Sequence, residues 1–558
     1  QQMLLGVGAV ATKTYIDDIF STNVYIGAGS GQVINNGIDN SSEGGMVWFK
    51  RRDGTYDHQV VDTIRGGNKG IRPNLSSAEI TTSYISSFNN NGYTLGTEAA
   101  ASDSGLSFAA WNFRKAPGFF DVVTYTGNDT NRTIAHSLGC VPGMILIKGL
   151  DAGHHWQVYH RDVGNTKVLK LNDTDAASTS GTAWNNTSPT ATHFSLGTEG
   201  GLNTNNQEFV AYLFAGGEEG YNSVEFDGDD DYLSWAATSD FAFGTGAYTV
   251  EFWVYPNSLS NTTFFNVADT NGFACVIQSG KVTITRYGVG DQVATSTGPS
   301  IGQWTHYALV REGTGSNQAK IYKNGVLEQT GTDSTDWTVT ATTGLGANAA
   351  SGIKEWDGKI SNFRIVKGTA VYTSAFTPPT AALTNITNTK LLCCNGDLPT
   401  SSTVTPGTIT ANGDPYTTGT SPFTSPDAVF GDAGDQNVIK CGNFVGNGST
   451  NGPEVFLGWE PQWILWKNSD DSESWRIVDS MRGIPNGSGT NDQALYPNNN
   501  DEEEASGQMI DVTPTGFKIT TSDSGINSTG ENSIWMAIRR PDGYVGKPYG
   551  AGEGTSVF

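Results

Sequence analysis

The sequence predicts an all-β, multidomain chain in which small β-sheet modules, repeated along its length, flank one larger two-layered β module. Three observations lead there. Glycine accounts for 70 of 558 residues while charged residues reach only 16%, against roughly 25% in average soluble domains. Apolar runs are short, recur along the whole chain and are punctuated by Gly, Asn, Ser and Thr, the residues that accept turn geometry. Third, one spacing pattern occurs three times.

The pattern is anchored on Lys50, Lys148 and Lys467. Three residues after each stands an aspartate, Asp53, Asp151 or Asp470, and eight after stands a ring, His58, Trp156 or Trp475. Ten after comes a β-branched residue, Val60, Val158 or Ile477, and sixteen after comes Gly66, Gly164 or Gly483. Copies two and three also share Leu138-Gly139-x-x-Pro142 and Leu457-Gly458-x-x-Pro461; the first copy has Glu43-Gly44-Gly45-Met46 there and has diverged. Copies one and two share Leu95-Gly-Thr-Glu98 and Leu196-Gly-Thr-Glu199, each leucine preceding an alanine, Ala110 or Ala211, by fifteen residues. Within a copy, Met144-Ile-Leu-Ile147, a turn around Asp151 and the alternating Trp156-Gln-Val158-Tyr read as a β-hairpin. The fixed aspartate reads as an Asx-turn residue and the fixed ring as core.

Between copies two and three the pattern changes. Tyr248-Thr-Val-Glu-Phe-Trp-Val254 alternates, with Tyr248, Val250, Phe252 and Val254 on one face and Thr249, Glu251 and Trp253 on the other. Lys323-Asn-Gly-Val326 is a type I′ hairpin signal. The ordered motifs Phe226-Asp-Gly228, Tyr248 to Val254, Gln303-Trp-Thr-His306, Ile321-Tyr322-x-Asn324-Gly325 and Asp357-Gly358-x-Ile360-x-x-Phe363-Arg-Ile365 resemble the laminin-G-like, concanavalin-A-like jelly-roll. The resemblance implies two packed antiparallel sheets, with glycan or protein binding common among members and calcium at the rim in some. The run from Arg364 to Phe376-Thr-Pro-Pro, and the flanking segments Asn112-Phe-Arg-Lys-Ala-Pro-Gly-Phe-Phe120 to Gly127 and Leu138-Gly-x-x-Pro142-Gly-Met-Ile145, resemble tail-fibre and virion structural proteins of marine tailed phages.

The expected organisation is an attachment segment 1–25, β repeat one over 26–122, β repeat two over 123–218, the jelly-roll over 219–395, a linker 396–435, and β repeat three with the tail over 436–558. A net charge of −24 (32 basic against 56 acidic residues) repels phosphate backbones and argues against nucleic-acid binding. No run approaches the roughly 20 apolar residues that span a bilayer, so no membrane insertion is expected. The start lacks the basic n-region of a secretion signal. The five cysteines, Cys140, Cys275, Cys393, Cys394 and Cys441, read as buried free thiols, the adjacent pair pointing to opposite faces.

No nucleophile elbow, zinc-protease helix or P-loop motif occurs, so the chain reads as non-enzymatic. Glu251 beside Trp253 is suggestive of a glycosidase carboxylate, but the Glu-x-Asp-x-x-Glu run usual in hydrolases of this fold is missing. His154-His155 with His160 could hold a metal but reads as hairpin surface, and Asp501-Glu-Glu-Glu504 as a solvated loop. Glycan binding needs exposed aromatic faces, for which Tyr287, Trp337 and Trp356 stand near expected loops. Asp227, Asp229 and Asp231 are candidate Ca2+ ligands, with no other cofactor expected. The expectation is a virion structural protein on the particle exterior, tail or capsid, made in the host cytoplasm. It would be a tail fibre or receptor-contact adhesin, homo-oligomeric, meeting other virion proteins and host surface polysaccharide. The alternatives are a capsid-decorating head fibre without specific binding, or a glycan-degrading enzyme.

Overall fold

The computed structural model describes residues 13–217, 221–268, 271–286, 290–348, 354–396, 398–423, 425, 428–484, 491–505 and 507–547. The chain forms two compact units, Gln1–Glu218 with Ser425–Phe558, and Glu219–Thr424. Among the described residues no helix is long and apolar enough to cross a membrane.

The first unit holds the three repeats, and each builds an antiparallel sheet of one topology. In copy one the order is Phe20–Ile26, Ser107–Arg114, Gly45–Arg51, Gln59–Asp62. Copy two places Phe120–Thr126, Glu208–Ala215, Pro142–Gly149 and Gln157–His160 in the same order and extends that sheet by two strands. Copy three uses Ile439–Val445, Asn532–Arg539, Pro461–Asn468 and Arg476–Asp479. Each long strand lies between two neighbours, which is why Phe209 to Ala215 and Ser533 to Arg539 are buried throughout. The anticipated attachment segment is corrected: Ile16, Ile19 and Phe20 are buried in the repeat core, and Phe20–Ile26 is an edge strand of copy one. Copy two begins at Phe120, inside the range expected for copy one.

The spacing pattern now has causes. Lys50, Lys148 and Lys467 are fully buried. Each donates Nζ to turn carbonyls: Lys50 to Arg51 (2.6 Å), Lys148 to His154 (2.7 Å) and Ser76 (3.0 Å), Lys467 to Asn468 (2.6 Å) and Asp471 (2.9 Å). Burial pushes all three ammonium groups down to about 8. The fixed aspartate does more than shape a turn. Asp53, Asp151 and Asp470 accept from the backbone N–H of Ser107, Glu208 and Asn532, the first residues of the long strands. Gly66, Gly164 and Gly483 take φ of +98°, +85° and +110°, which only glycine adopts cheaply.

The three copies close on one another through matching positions. Trp156 of copy two donates Nε1 to the Arg72 carbonyl of copy one (2.8 Å), and Trp475 of copy three to the Lys170 carbonyl of copy two (2.9 Å). The third ring, His58 of copy one, lies against the Tyr496 backbone of copy three. Arg72 and Lys170 stand 22 residues after their lysine; Tyr496 stands 29 after, because copy three has seven more residues between Gly483 and Asn498. A second ring of contacts uses the position twelve after the lysine. Asp62 accepts from Tyr212 Oη of copy two (2.7 Å), His160 donates Nε2 to the Trp535 carbonyl of copy three (3.1 Å), and Asp479 accepts from Trp111 Nε1 of copy one (3.0 Å). Buried Arg65 and Arg482 pair with Asp62 and Asp479, both at 2.6 Å. Glu503 bridges Arg52 and Arg482 at 2.7 and 3.2 Å, so this part of the acidic run is structural rather than a solvated loop. Buried apolar residues of all three copies form one continuous cluster.

The second unit is two sheets around one core. The first runs Val326–Gly331, Ala319–Lys323, Thr305–Arg311, Tyr248–Pro256, Asp357–Lys367, Ser223–Asp227, Tyr416–Thr418, with Thr389–Cys393 and Ser402–Val404 attached. The second runs Gly290–Ala294, Lys281–Arg286, Phe273–Gln278, Thr262–Val267, Thr343–Leu345, Tyr232–Trp235, Thr410–Asn412. Phe252 and Phe363 of the first sheet and Phe264, Phe265 and Phe273 of the second share that core. The expected linker 396–435 is therefore corrected: Ser402–Val404, Thr410–Asn412 and Tyr416–Thr418 are strands of the two sheets. Their Thr-rich, polar composition reads as loop, yet suits half-exposed edge strands. The Asn324-Gly325 turn has φ of +49° and +76°, as the hairpin signal requires. All five cysteines are buried. Cys393 and Cys394 do not point apart: a φ of +60° at Cys394 brings both into the core with Sγ atoms 3.7 Å apart.

Asp479→Ala leaves buried Arg482 without its 2.6 Å partner and the Trp111 N–H without its acceptor. It should lower stability by about 3–5 kcal/mol, the cost of breaking a buried ion pair. Asp151→Ala, which removes one hydrogen bond at a turn, should cost about 1 kcal/mol. Denaturant midpoints of the two variants measure the difference; equal midpoints would contradict the closed arrangement.

Candidate functional site

The outer face of the first sheet is sealed by the chain itself. Residues 369–384 cross it: Thr249 Oγ1 donates to the Thr369 carbonyl, and Ala370, Tyr372 and Phe376 pack on buried Ala308, Val310 and Tyr322. Phe376 also donates its N–H to the Gly325 carbonyl, and its own carbonyl would lie 1.9 Å from any Cβ at position 325, so the turn needs glycine there for access as well as for φ. Beneath this strap Glu251 is fully buried. Arg364 donates to its Oε1 from Nη2 (2.6 Å) and Nε (3.0 Å), Tyr372 Oη donates to its Oε2 (2.8 Å), and His306 Nε2 stands 3.5 Å away. Burial alone would raise this carboxyl, but His306 and Arg364 outweigh it and hold Glu251 below the usual carboxylate range. Glu251 is therefore a buried anion locked in an ion network, with no access to a glycosidic bond.

Two of the three expected aromatic platforms, Trp337 and Trp356, do not reach the surface. Trp337 is 1% exposed and donates Nε1 to Asp333 (2.9 Å). The same carboxylate receives Arg311 and Tyr248. Trp356 is 0% exposed and packs on Phe264 with ring centroids 4.7 Å apart. Both indoles fill the core between the sheets and present no face to a sugar. Tyr287 lies outside the described residues. The histidines of copy two diverge as well: His154 bonds Gln207, His155 bonds Asn172 and His160 reaches Trp535, so they share no centre.

The second sheet carries a different outer face. Alternation sends Leu233, Trp235, Cys275, Ile277, Val282 and Ile284 inward. Tyr232, Ser234, Thr263, Val276, Thr283 and Thr285 lie on the opposite side; Thr263, Val276 and Thr283 are buried there, whereas Tyr232, Ser234 and Thr285 are half-buried, and Asn412 Nδ2 donates to Ser234 Oγ at 3.0 Å. At one end of this sheet lies a cavity of ≈ 160 Å³ lined by Asn261, Thr262, Val276, Ile277, Gln278 and Lys354. Asn261 Oδ1 accepts from the Ser279 N–H (2.9 Å), and the Lys354 carbonyl accepts from the Thr263 N–H (2.8 Å). Three separate segments are thus pinned around one hollow. No aromatic and no motif marks these residues; they meet only through strand register, so sequence reading passed them by.

The acidic loop between Ser223–Asp227 and Tyr232–Trp235 gathers Asp227, Asp230 and Asp231, with one oxygen of each within 4.8 Å of the others. Asp230 takes the place expected of Asp229, whose backbone N–H instead donates to Asp227 Oδ1. Asp231 accepts from the N–H groups of Asp227 (3.0 Å) and Asp414 (2.7 Å). Burial, reinforced by the charges of Asp227 and Asp414, pushes its carboxyl up to about 6 despite those two bonds. The three carboxylates suit a hard cation such as Ca2+, but they supply only part of the six to eight oxygens it takes; backbone and water would supply the remainder.

Because the folded Asp231 holds a proton that the unfolded chain has released, its stabilising contribution is full below about pH 4 and is lost as pH rises through about 6. Asp231→Asn should flatten this part of the stability profile between pH 4 and 7. Parallel wild-type and variant profiles over that range would contradict the assignment.

Residues 16–229 and 325–540 match one family, described as a domain of unknown function, DUF7483. Residues 227–373 match the concanavalin A-like lectin/glucanases superfamily. No curated protein matches the sequence. Among solved structures, the heptameric SAP-like pentraxin of Limulus polyphemus aligns at 13% identity over 34% of this chain and 94% of its own, with a TM-score of 0.25. Domain 4 of a Geobacillus stearothermophilus arabinanase, solved with arabinotriose, aligns at 29% identity over 23% of this chain and 63% of its own, with a TM-score of 0.20. Domains LG4-5 of mouse laminin alpha1 align at 10% identity over 72% of this chain and 96% of theirs, with a TM-score of 0.23.

Proposed function

We propose that this chain, which belongs to the DUF7483 family and carries a concanavalin-A-like module within it, is a non-enzymatic virion structural protein that recognises host surface glycan, as a tail fibre or receptor-contact adhesin. The observation that carries the reading is the asymmetry of the second unit. One outer face is closed by the chain's own strap, with its carboxylate Glu251 consumed in an ion network. The other has part-exposed hydroxyls at Tyr232, Ser234 and Thr285, the amide of Asn412 and a cavity at its end, groups that exchange hydrogen bonds with sugar hydroxyls. The first unit supports a scaffolding role, because its buried lysines, aspartates and arginines are spent on closing three repeats. The resemblance of Arg364 to Phe376 and Asn112 to Phe120 to phage tail and virion proteins supports a place on the particle exterior, among other virion proteins. Homo-oligomerisation would give multivalent attachment, which turns weak sites into firm adhesion.

The full-length chain, applied to an array of bacterial surface polysaccharides, should bind at least one glycan without releasing reducing sugar. Antibody raised against it should decorate tails of intact particles in micrographs. Absence of binding to any glycan, or release of reducing ends, would overturn the recognition role; label confined to heads would overturn the tail assignment.

A further inference from the structure

The geometry points to the cavity beside Gln278 as a site for an acidic sugar, one that carries a carboxylate or a sulfate ester. This rests on the reading of the second unit as a glycan-binding module and names the class of glycan.

Three independent features converge there. First, Thr262 is 2% exposed and lines the cavity, and its Oγ1 has no hydrogen-bond partner. Buried hydroxyls are ordinarily satisfied; of the unpartnered threonine hydroxyls in this unit, Thr262, Thr343 and Thr417, the one at Thr262 lines the cavity and can meet a ligand oxygen. Second, one lysine lines the cavity and another stands beside it in the adjoining strand, neither with a counter-charge. Lys354 lines it, and Lys281 faces Gln278 directly across the hairpin. Among the described residues neither lysine side chain has a carboxylate or carbonyl partner. The other described lysines and arginines of this unit, Arg286 apart, each have one. Arg311 pairs with Asp333, Lys320 with Glu312, Lys359 with Glu225, Arg364 with Glu251 and Lys390 with Asp240. Lys323 and Lys367 donate to the Gly298 and Ser239 carbonyls. Third, Lys354 is held in left-handed backbone, φ +62°, with its carbonyl bonded to Thr263. That geometry is unusual for a lysine, and it keeps the residue at the cavity wall.

Size and lining narrow the occupant. At ≈ 160 Å³ the cavity is smaller than the roughly 300–1,000 Å³ of drug-sized pockets, so it takes one ring of a polysaccharide rather than a stretch of it. Val276 and Ile277 offer an apolar wall to the C–H face of a sugar, while Asn261, Thr262 and Gln278 meet its hydroxyls. The acidic loop at Asp231 stands at the same end of the sheet, since Leu233, Leu345, Phe265 and Cys275 share one row. Two to three strand spacings put it roughly 10 to 14 Å away, beyond the ~8 Å over which exposed charges act at physiological salt. The net charge of the chain therefore does not decide the contact; the two lysines do.

Calorimetric titration of the full-length chain with three oligosaccharides of equal length tests this: a uronic-acid oligomer, a sulfated galactan oligomer and a neutral galactan oligomer. At least one acidic oligomer should bind about tenfold more tightly than the neutral one, the gain expected of a charge-assisted contact; which of the two does so identifies the anion. Lys354→Gln and Gln278→Ala, both at exposed positions, should each weaken the acidic ligand several-fold and leave the melting temperature unchanged. Thr262→Val should weaken every ligand that enters. If the neutral oligomer binds as well as the acidic ones and Lys354→Gln changes nothing, glycan recognition stands and the acidic-sugar site falls. If none of the three binds and array glycans also fail, both fall.

Discussion

The fold of the first unit depends on a circular exchange of hydrogen bonds among three copies of one small sheet. A buried ring at the position eight after each lysine addresses the backbone of another copy, copy two reaching copy one, copy three reaching copy two, and His58 of copy one facing copy three. A parallel exchange runs through Asp62, His160 and Asp479. In each copy one face of the sheet packs into the cluster that all three share. Three copies closing on each other bury that face completely, and the cross-copy bonds fix which edge meets which. This explains why the lysine, aspartate, ring and glycine recur at fixed spacing while most other positions drift: they set the hairpin and aim it at its neighbour.

Much of this was legible before any coordinates, because hairpin geometry is local. The interval from Lys148 to Trp156 spans one turn, and a turn tolerates little change in length. The asparagines that cap the return strands were not seen, although the pattern holds them. Asn74, Asn172 and Asn498 accept from the backbone N–H of His58, Trp156 and Trp475. In copy three the intervening loop is seven residues longer, which shifts Asn498 out of register with the other two. The cross-copy partners were equally hidden, since a carbonyl such as that of Lys170 leaves no mark in a side-chain pattern.

The central module shows a different limit. Strand alternation placed Phe252 and Val254 inward correctly, and the Asn-Gly turn took the backbone expected of it. Trp337 and Trp356 stand near expected loops in the sequence, yet both indoles lie in the core between the sheets. Segment 396–418 went the other way, its polar residues forming edge strands. Polar composition separates exposed from buried, not strand from loop. The same reasoning explains Cys394, where one left-handed residue cancels the alternation that would have turned the two thiols apart.

Copies two and three are separated in sequence by the whole jelly-roll, so the inserted unit begins and ends within a structure whose repeats hold each other. Hydrogen exchange with mass-spectrometric readout, followed across a denaturant series, tests that closure most directly. Peptides covering the hairpins 45–62, 142–160 and 461–479 should lose protection together, on one common isotherm. Three separate isotherms would mean that each repeat opens alone, and would contradict the account.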